Sequence, residues 1–140
     1  MELKIEARAV VPLFDGCLVA GYRVKNEINA EYFQSKSTVT DEKISRWQKM
    51  VNQWTKETIE VLSATFVSAV ESYNFRDAQA SPLVAAGTNL RWNGVINQLE
   101  ARIGKLNQYR SEIGALPAML VVCRDVINQI GQENETSIKN

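Results

Sequence analysis

The sequence predicts an all-α domain, a helical bundle of four or five helices, and three observations carry that prediction. The first is the stretch 41–73. Its apolar residues Ile44, Trp47, Val51, Trp54, Val61, Leu62, Phe66, Ala69, Val70 and Tyr73 step by threes and fours, with Thr58 and Thr65 filling in. That is the spacing of one helical face, not of a strand. Its opposite face carries Glu42, Lys43, Arg46, Lys49, Gln53, Lys56, Glu57 and Glu60. The second is a similar stripe over about 89–114: Trp92, Val95, Ile96, Leu99, Ile103, Leu106, Tyr109 and Ile113. The third is punctuation. Residues that start or stop helices fall outside the stripes, at Thr40-Asp41, Ser81-Pro82, Gly87, Gly114, Pro117 and Gly131. The two long helices are expected to pack antiparallel as a spine, with the first and last helices covering them.

Residues 2–10 admit two readings. Leu3, Ile5, Ala7 and Ala9 alternate with charged residues in a strand period, yet Glu, Lys and Ala are depleted in strands and favoured in helices. Residues 9–24 are expected to be helical, with Phe14, Leu18 and Tyr22 on one side and the pattern continuing to Ile28 and Tyr32. A β-hairpin at 9–24, turning at Asp15-Gly16, is the alternative. Pro12 counts against it, because proline has no N–H to give to a strand ladder. The polar, hydroxyl-rich run 34–40 reads as a connection, and Thr38, Thr40 or Asp41 as a cap for the long helix. After Tyr73 the period stops. Ser81 and Pro82 open a short piece, 83–86, and Thr88 or Asn89 caps the second long helix. Gly114 is expected to end that helix in a left-handed cap, with Pro117 restarting a last one to Ile130. Leu120, Cys123, Val126, Ile127 and Ile130 would point inward there, and Gly131 would end it. The expected organisation is one domain, 1–131, and a polar, frayed tail, 132–140.

Composition narrows the function classes. The 140 residues hold 16 basic and 16 acidic side chains, a balance that calls for neither nucleic acid nor an anionic membrane. No apolar run is long enough to span a bilayer, and the first residues contain no signal-peptide core. Cys17 and Cys123 sit in apolar surroundings, so a cytoplasmic protein with reduced thiols is expected. There is no histidine. That removes the commonest general base, the usual partner of a nucleophilic serine or cysteine, and the commonest transition-metal ligand.

No standard catalytic constellation is present. No glycine-rich phosphate loop and no paired-cysteine metal spacing appear, so no catalytic residue, cofactor or metal is expected. Arg91, Arg102 and Lys105 flank one edge of the second long helix, and Arg110 lies near its stripe. A phosphate or acidic-partner site is the functional reading of these arginines. A solvated edge, with arginine stems covering the core, is the structural one.

The segment Ile44-Ser-Arg-Trp-Gln-Lys-Met-Val-Asn-Gln-Trp-Thr-Lys-Glu-Thr-Ile59, followed by Leu62 and Phe66, resembles helical regions of some bacterial effector and predicted nucleotide-binding proteins. In those, a tryptophan-bearing helix leads to one similar to residues 99–113. The resemblance implies a helical sensing or oligomerisation module and transfers no functional residue.

Two functional expectations follow. The leading one is a non-enzymatic helical interaction or regulatory protein that self-associates, as a dimer, through the long amphipathic helix, with Trp54, Phe66, Val70 and Tyr73 at the interface; another protein could also be its partner. The alternative is a small-ligand or nucleotide-binding module with a pocket lined by Trp47, Trp92, Arg91 and Arg110.

Overall fold

The computed structural model describes residues 1–34, 38–79 and 87–139, with side chains described through Leu116. It is an all-α bundle. Helix α1 runs Ala7–Gln34, α2 Asp41–Thr65, α3 Val70–Arg76 and α4 Leu90–Lys139. The piece expected at 81–86 lies outside the described residues, as do the inward side chains expected at Leu120 to Ile130.

The hairpin alternative is not realised. Val10, Phe14, Leu18, Gly21, Ile28 and Tyr32 are buried along one face of α1, and a helix places that spacing on one side. Pro12 sits in the exposed part of the second turn, where the helix forgoes one backbone bond without burying an orphan carbonyl. Asp15 and Gly16 are helical too. Instead of making a turn, the Asp15 carboxylate accepts from Arg110 Nε at 2.9 Å.

Helix α2 starts as the sequence suggests, with the Thr40 hydroxyl accepting from the Lys43 N–H at 3.2 Å. It ends eight residues early, at Thr65 rather than Tyr73. The N-terminal segment causes this. Lys4 N–H donates to the Thr65 carbonyl at 2.7 Å and Val67 N–H to the Glu2 carbonyl at 3.0 Å. Leu3 and Phe66 form one antiparallel bridge. Phe66 therefore takes extended backbone, φ −98° and ψ 141°, and the apolar residues beyond it enter the separate helix α3. The strand period at residues 2–10 is expressed only as this bridge.

The direction of packing corrects the expected spine. Asp41 pairs with Arg91, Gln48 Nε2 donates to Gln98 at 2.9 Å, and Arg102 Nη1 donates to Thr55 at 2.9 Å. Numbers rise together along the two helices, so α2 and α4 run parallel. Helix α1 is antiparallel to both. Tyr32 stacks on Trp92, Lys25 pairs with Glu100, Tyr22 meets Asn107 and Asp15 meets Arg110. Against α2, Glu31 meets Trp47 and Cys17 meets Trp54. Helix α4 begins at the end of the bundle where α2 began, with Arg91 paired to Asp41, and so runs parallel to α2.

Gly87, at φ +79°, precedes α4. The Asn89 side chain caps that helix, accepting from Arg91 N at 2.9 Å and Trp92 N at 3.2 Å. Gly114 does not end it, because its φ is not left-handed and α4 continues. The expected restart at Pro117 and end at Gly131 are likewise not boundaries of α4. The core joins all four helices. Phe66, set between α2 and α3, bridges Phe14 and Tyr109 edge-on at centroid distances of 6.1 and 5.6 Å, and Trp54 meets Phe75 at 5.6 Å.

Tyr109 yields a pH prediction. Its hydroxyl donates to the Glu71 carbonyl at 3.0 Å. Burial, helped by the charges of Glu71 and Glu112, pushes its pKa up to about 12. An unfolded tyrosine ionises near pH ~10. The neutral phenol thus contributes stability that is complete below that value and is lost as pH rises through about 12. Tyrosinate absorbance should show a group titrating near there that Tyr109→Phe lacks. The denaturation midpoint of the parent chain should fall more steeply over that window than that of the variant.

Candidate functional site

The four residues expected at the interface separate into two pairs. Trp54 is 3 % exposed and Phe66 1 %. Trp54 lies across α1, its Nε1 donating to the Cys17 carbonyl at 2.8 Å. Both are core residues, which corrects their assignment to an assembly surface. The early end of α2 explains Phe66, and the α1–α2 contact explains Trp54. Val70 and Tyr73 are 56 % and 55 % exposed, beside Val67 at 51 %. These three occupy the corner where the chain turns from α2 into α3. The Arg76 guanidinium lies 5.0 Å from the Tyr73 ring centre.

The residues expected to line a pocket do not share one. Trp47 is fully buried, its Nε1 donating to Glu31 at 2.6 Å. That hydrogen bond, more than the neighbouring Arg46, holds the Glu31 carboxyl below its ordinary range. Trp92 is covered by Tyr32, stacked at 4.0 Å. Arg91 pairs with Asp41 and Arg110 with Asp15. Nineteen positions separate these arginines on α4, roughly 28 Å along the axis. Each ties α4 to a different helix, so no ligand of ordinary size reaches both.

Arg102 is where the structure departs most from a solvated arginine edge. It is 7 % exposed. Its Nε donates to the Arg76 carbonyl at 3.1 Å, at the end of α3, and its Nη1 to the Thr55 hydroxyl of α2 at 2.9 Å. Both acceptors are neutral. Among the described residues, no carboxylate stands within ion-pair distance. Desolvation accordingly lowers its pKa, with Asp77 acting in the opposite sense. Above it lies an open cavity of about 550 Å³, lined by Arg76, Asp77, Gln79, Asn97, Gln98 and Arg102 among others. The Asp77 carboxylate is engaged by Arg76 Nε at 2.9 Å and Nη2 at 3.2 Å. In the sequence, Arg102 falls next to Ile103 of the apolar stripe, as Arg91 does next to Trp92 and Arg110 next to Tyr109, so no local signal sets it apart.

Other chemistry finds little purchase. Cys17 is a half-buried thiol whose pKa burial pushes up, which disfavours the nucleophilic thiolate. Cys123 lies beyond the described side chains. Among the described residues, no group of three or more acidic or cysteine side chains could hold a metal ion, and no helix is long and apolar enough to cross a membrane. Comparisons with protein-family models, curated proteins and solved structures find no match to this chain.

Proposed function

We propose that this chain is a non-enzymatic helical interaction protein that self-associates, as a homodimer, through the α2–α3 corner. The observation that carries the reading is the cluster Val67, Val70 and Tyr73, three neighbouring large apolar side chains each more than half exposed. Val70 and Tyr73 are three apart in one helix, so they share a face. Tyrosine is enriched at binding hot spots, where an apolar centre is ringed by polar groups. Ser68, Asn74 and the Arg76–Asp77 pair are placed to form that ring. A two-fold contact would set the same corner of two subunits together. The three side chains are its centre, since a stable interface takes roughly 800 Å² from each partner. The balanced charge supports self-contact, because a chain with no net charge lacks long-range repulsion from its own copies. A cytoplasmic setting, with Cys17 as a thiol, goes with this reading.

Light scattering over a wide concentration range tests it. The parent chain is expected to double its mass as concentration rises. The double variant Val70→Asp, Tyr73→Lys is expected to stay monomeric while its unfolding free energy changes by no more than ~0.5 kcal/mol, as for ordinary surface substitutions. A parent chain that remains monomeric throughout refutes the reading.

A further inference from the structure

We propose that the cavity between the end of α3 and the middle of α4 binds a small oxyanion, the carboxylate or phosphate group of a metabolite, on the buried guanidinium of Arg102. The site shares the Arg76–Asp77 pair with the rim of the self-association corner but does not depend on self-association. Three observations meet there.

The first is a buried cation without an ion pair among the described residues. A buried charge without a counter-charge is costly, and Arg102 has two neutral acceptors and, among the described residues, no ion pair. Asp77 offsets its charge only in part, from beyond ion-pair distance, and both oxygens of that carboxylate are engaged by Arg76.

The second is unused donors. Arg102 Nη2 makes no hydrogen bond to a described residue. Gln98 accepts through Oε1 from Gln48 at 2.9 Å, which leaves its amide nitrogen as a donor. Asn97 supplies a second carboxamide to the same lining.

The third is fit. The cavity, about 550 Å³, is within the usual size of small-molecule sites. Two guanidinium groups and one carboxylate leave a local excess of one positive charge. With Nε and Nη1 already committed, Arg102 offers one edge rather than a full fork. The recognised group is therefore an oxygen that also accepts from the neighbouring carboxamides.

Amide and arginine-side-chain NMR titrations test this in three arms: inorganic phosphate, succinate, and sodium chloride at matched ionic strength. The expected result is saturable shifts at residues 77–79, 97–98 and the Arg102 Nε–H with phosphate or succinate and not with chloride. The tighter of the two identifies the anion class. Asn97→Asp places a carboxylate at the partly exposed mouth and is expected to weaken binding about tenfold or more, and Gln98→Glu provides the same readout should the first variant lose the native spectrum. Shifts that are linear and equal to those in chloride overturn the proposal. So does saturable binding that neither variant weakens.

Discussion

Truncating Trp54 to alanine is expected to lower the unfolding free energy by about 3–5 kcal/mol, the range for removing a large aromatic from a close-packed core. Several losses coincide at this position. The indole is 3 % exposed, so its whole apolar surface returns to water on unfolding. Its N–H is satisfied by the Cys17 carbonyl, and its edge contact with Phe75 ties α2 to α3. The void left between α1 and α2 cannot close without moving α1, which Asp15 and Lys25 also fasten to α4. Domains of this size have total stabilities of roughly 5–15 kcal/mol, so one truncation removes a large share. A charged residue at Trp54 or Phe66 is expected to prevent folding altogether. Urea denaturation of Trp54→Ala gives the number, and a loss below about 1 kcal/mol would mean the indole is not a core element.

The second large effect is at Gly21, on the other side of the same contact. A Cβ built there would stand 2.7 Å from Trp54 Cζ2 and 2.9 Å from Cε2. The indole cannot swing away freely, because its N–H is bonded at Cys17 one turn earlier in α1. Gly21→Leu is therefore expected to cost about 3 kcal/mol, the upper part of the range for overpacking a core. This glycine is required by a neighbour and not by its own backbone, which is helical. That gives a sign test. In the Trp54→Ala background the space is open, and Gly21→Ala should stabilise by up to ~1 kcal/mol through helix propensity. The same change in the parent chain should destabilise. Equal effects in both backgrounds would show that the α1–α2 crossing does not depend on this pair.

Much of the architecture is legible in local pattern. The stripe from Trp92 to Ile113 is buried almost position for position. Thr40 and Asn89 cap where hydroxyl and amide residues precede apolar periods. The helical reading of 9–24 holds because six positions of α1 bury on one face while Asp15-Gly16 does not. The expected interface is legible only in part. Trp54, Phe66, Val70 and Tyr73 look alike as apolar residues at helical spacing, and nothing in that spacing says which of them the rest of the chain covers. The expected pocket fails for a related reason. Trp47 and Trp92 are each occupied by α1 residues, Glu31 and Tyr32, more than a dozen positions away in sequence.

What the sequence by itself determined is the helical class and the apolar stripe of each long helix, because periodicity and capping are properties of adjacent turns. Only the tertiary structure decided that α2 and α4 run parallel, that α2 stops at Thr65, and that Arg102 is buried among neutral acceptors. Each of these depends on a distant partner. The backbone of residues 2–4 competes for the Thr65–Val67 bonds that would continue the helix. Thr55 and the Arg76 carbonyl, brought in from other helices, enclose the guanidinium. Helical spacing is encoded within a turn or two, whereas burial and direction follow from which faces meet once the chain has closed.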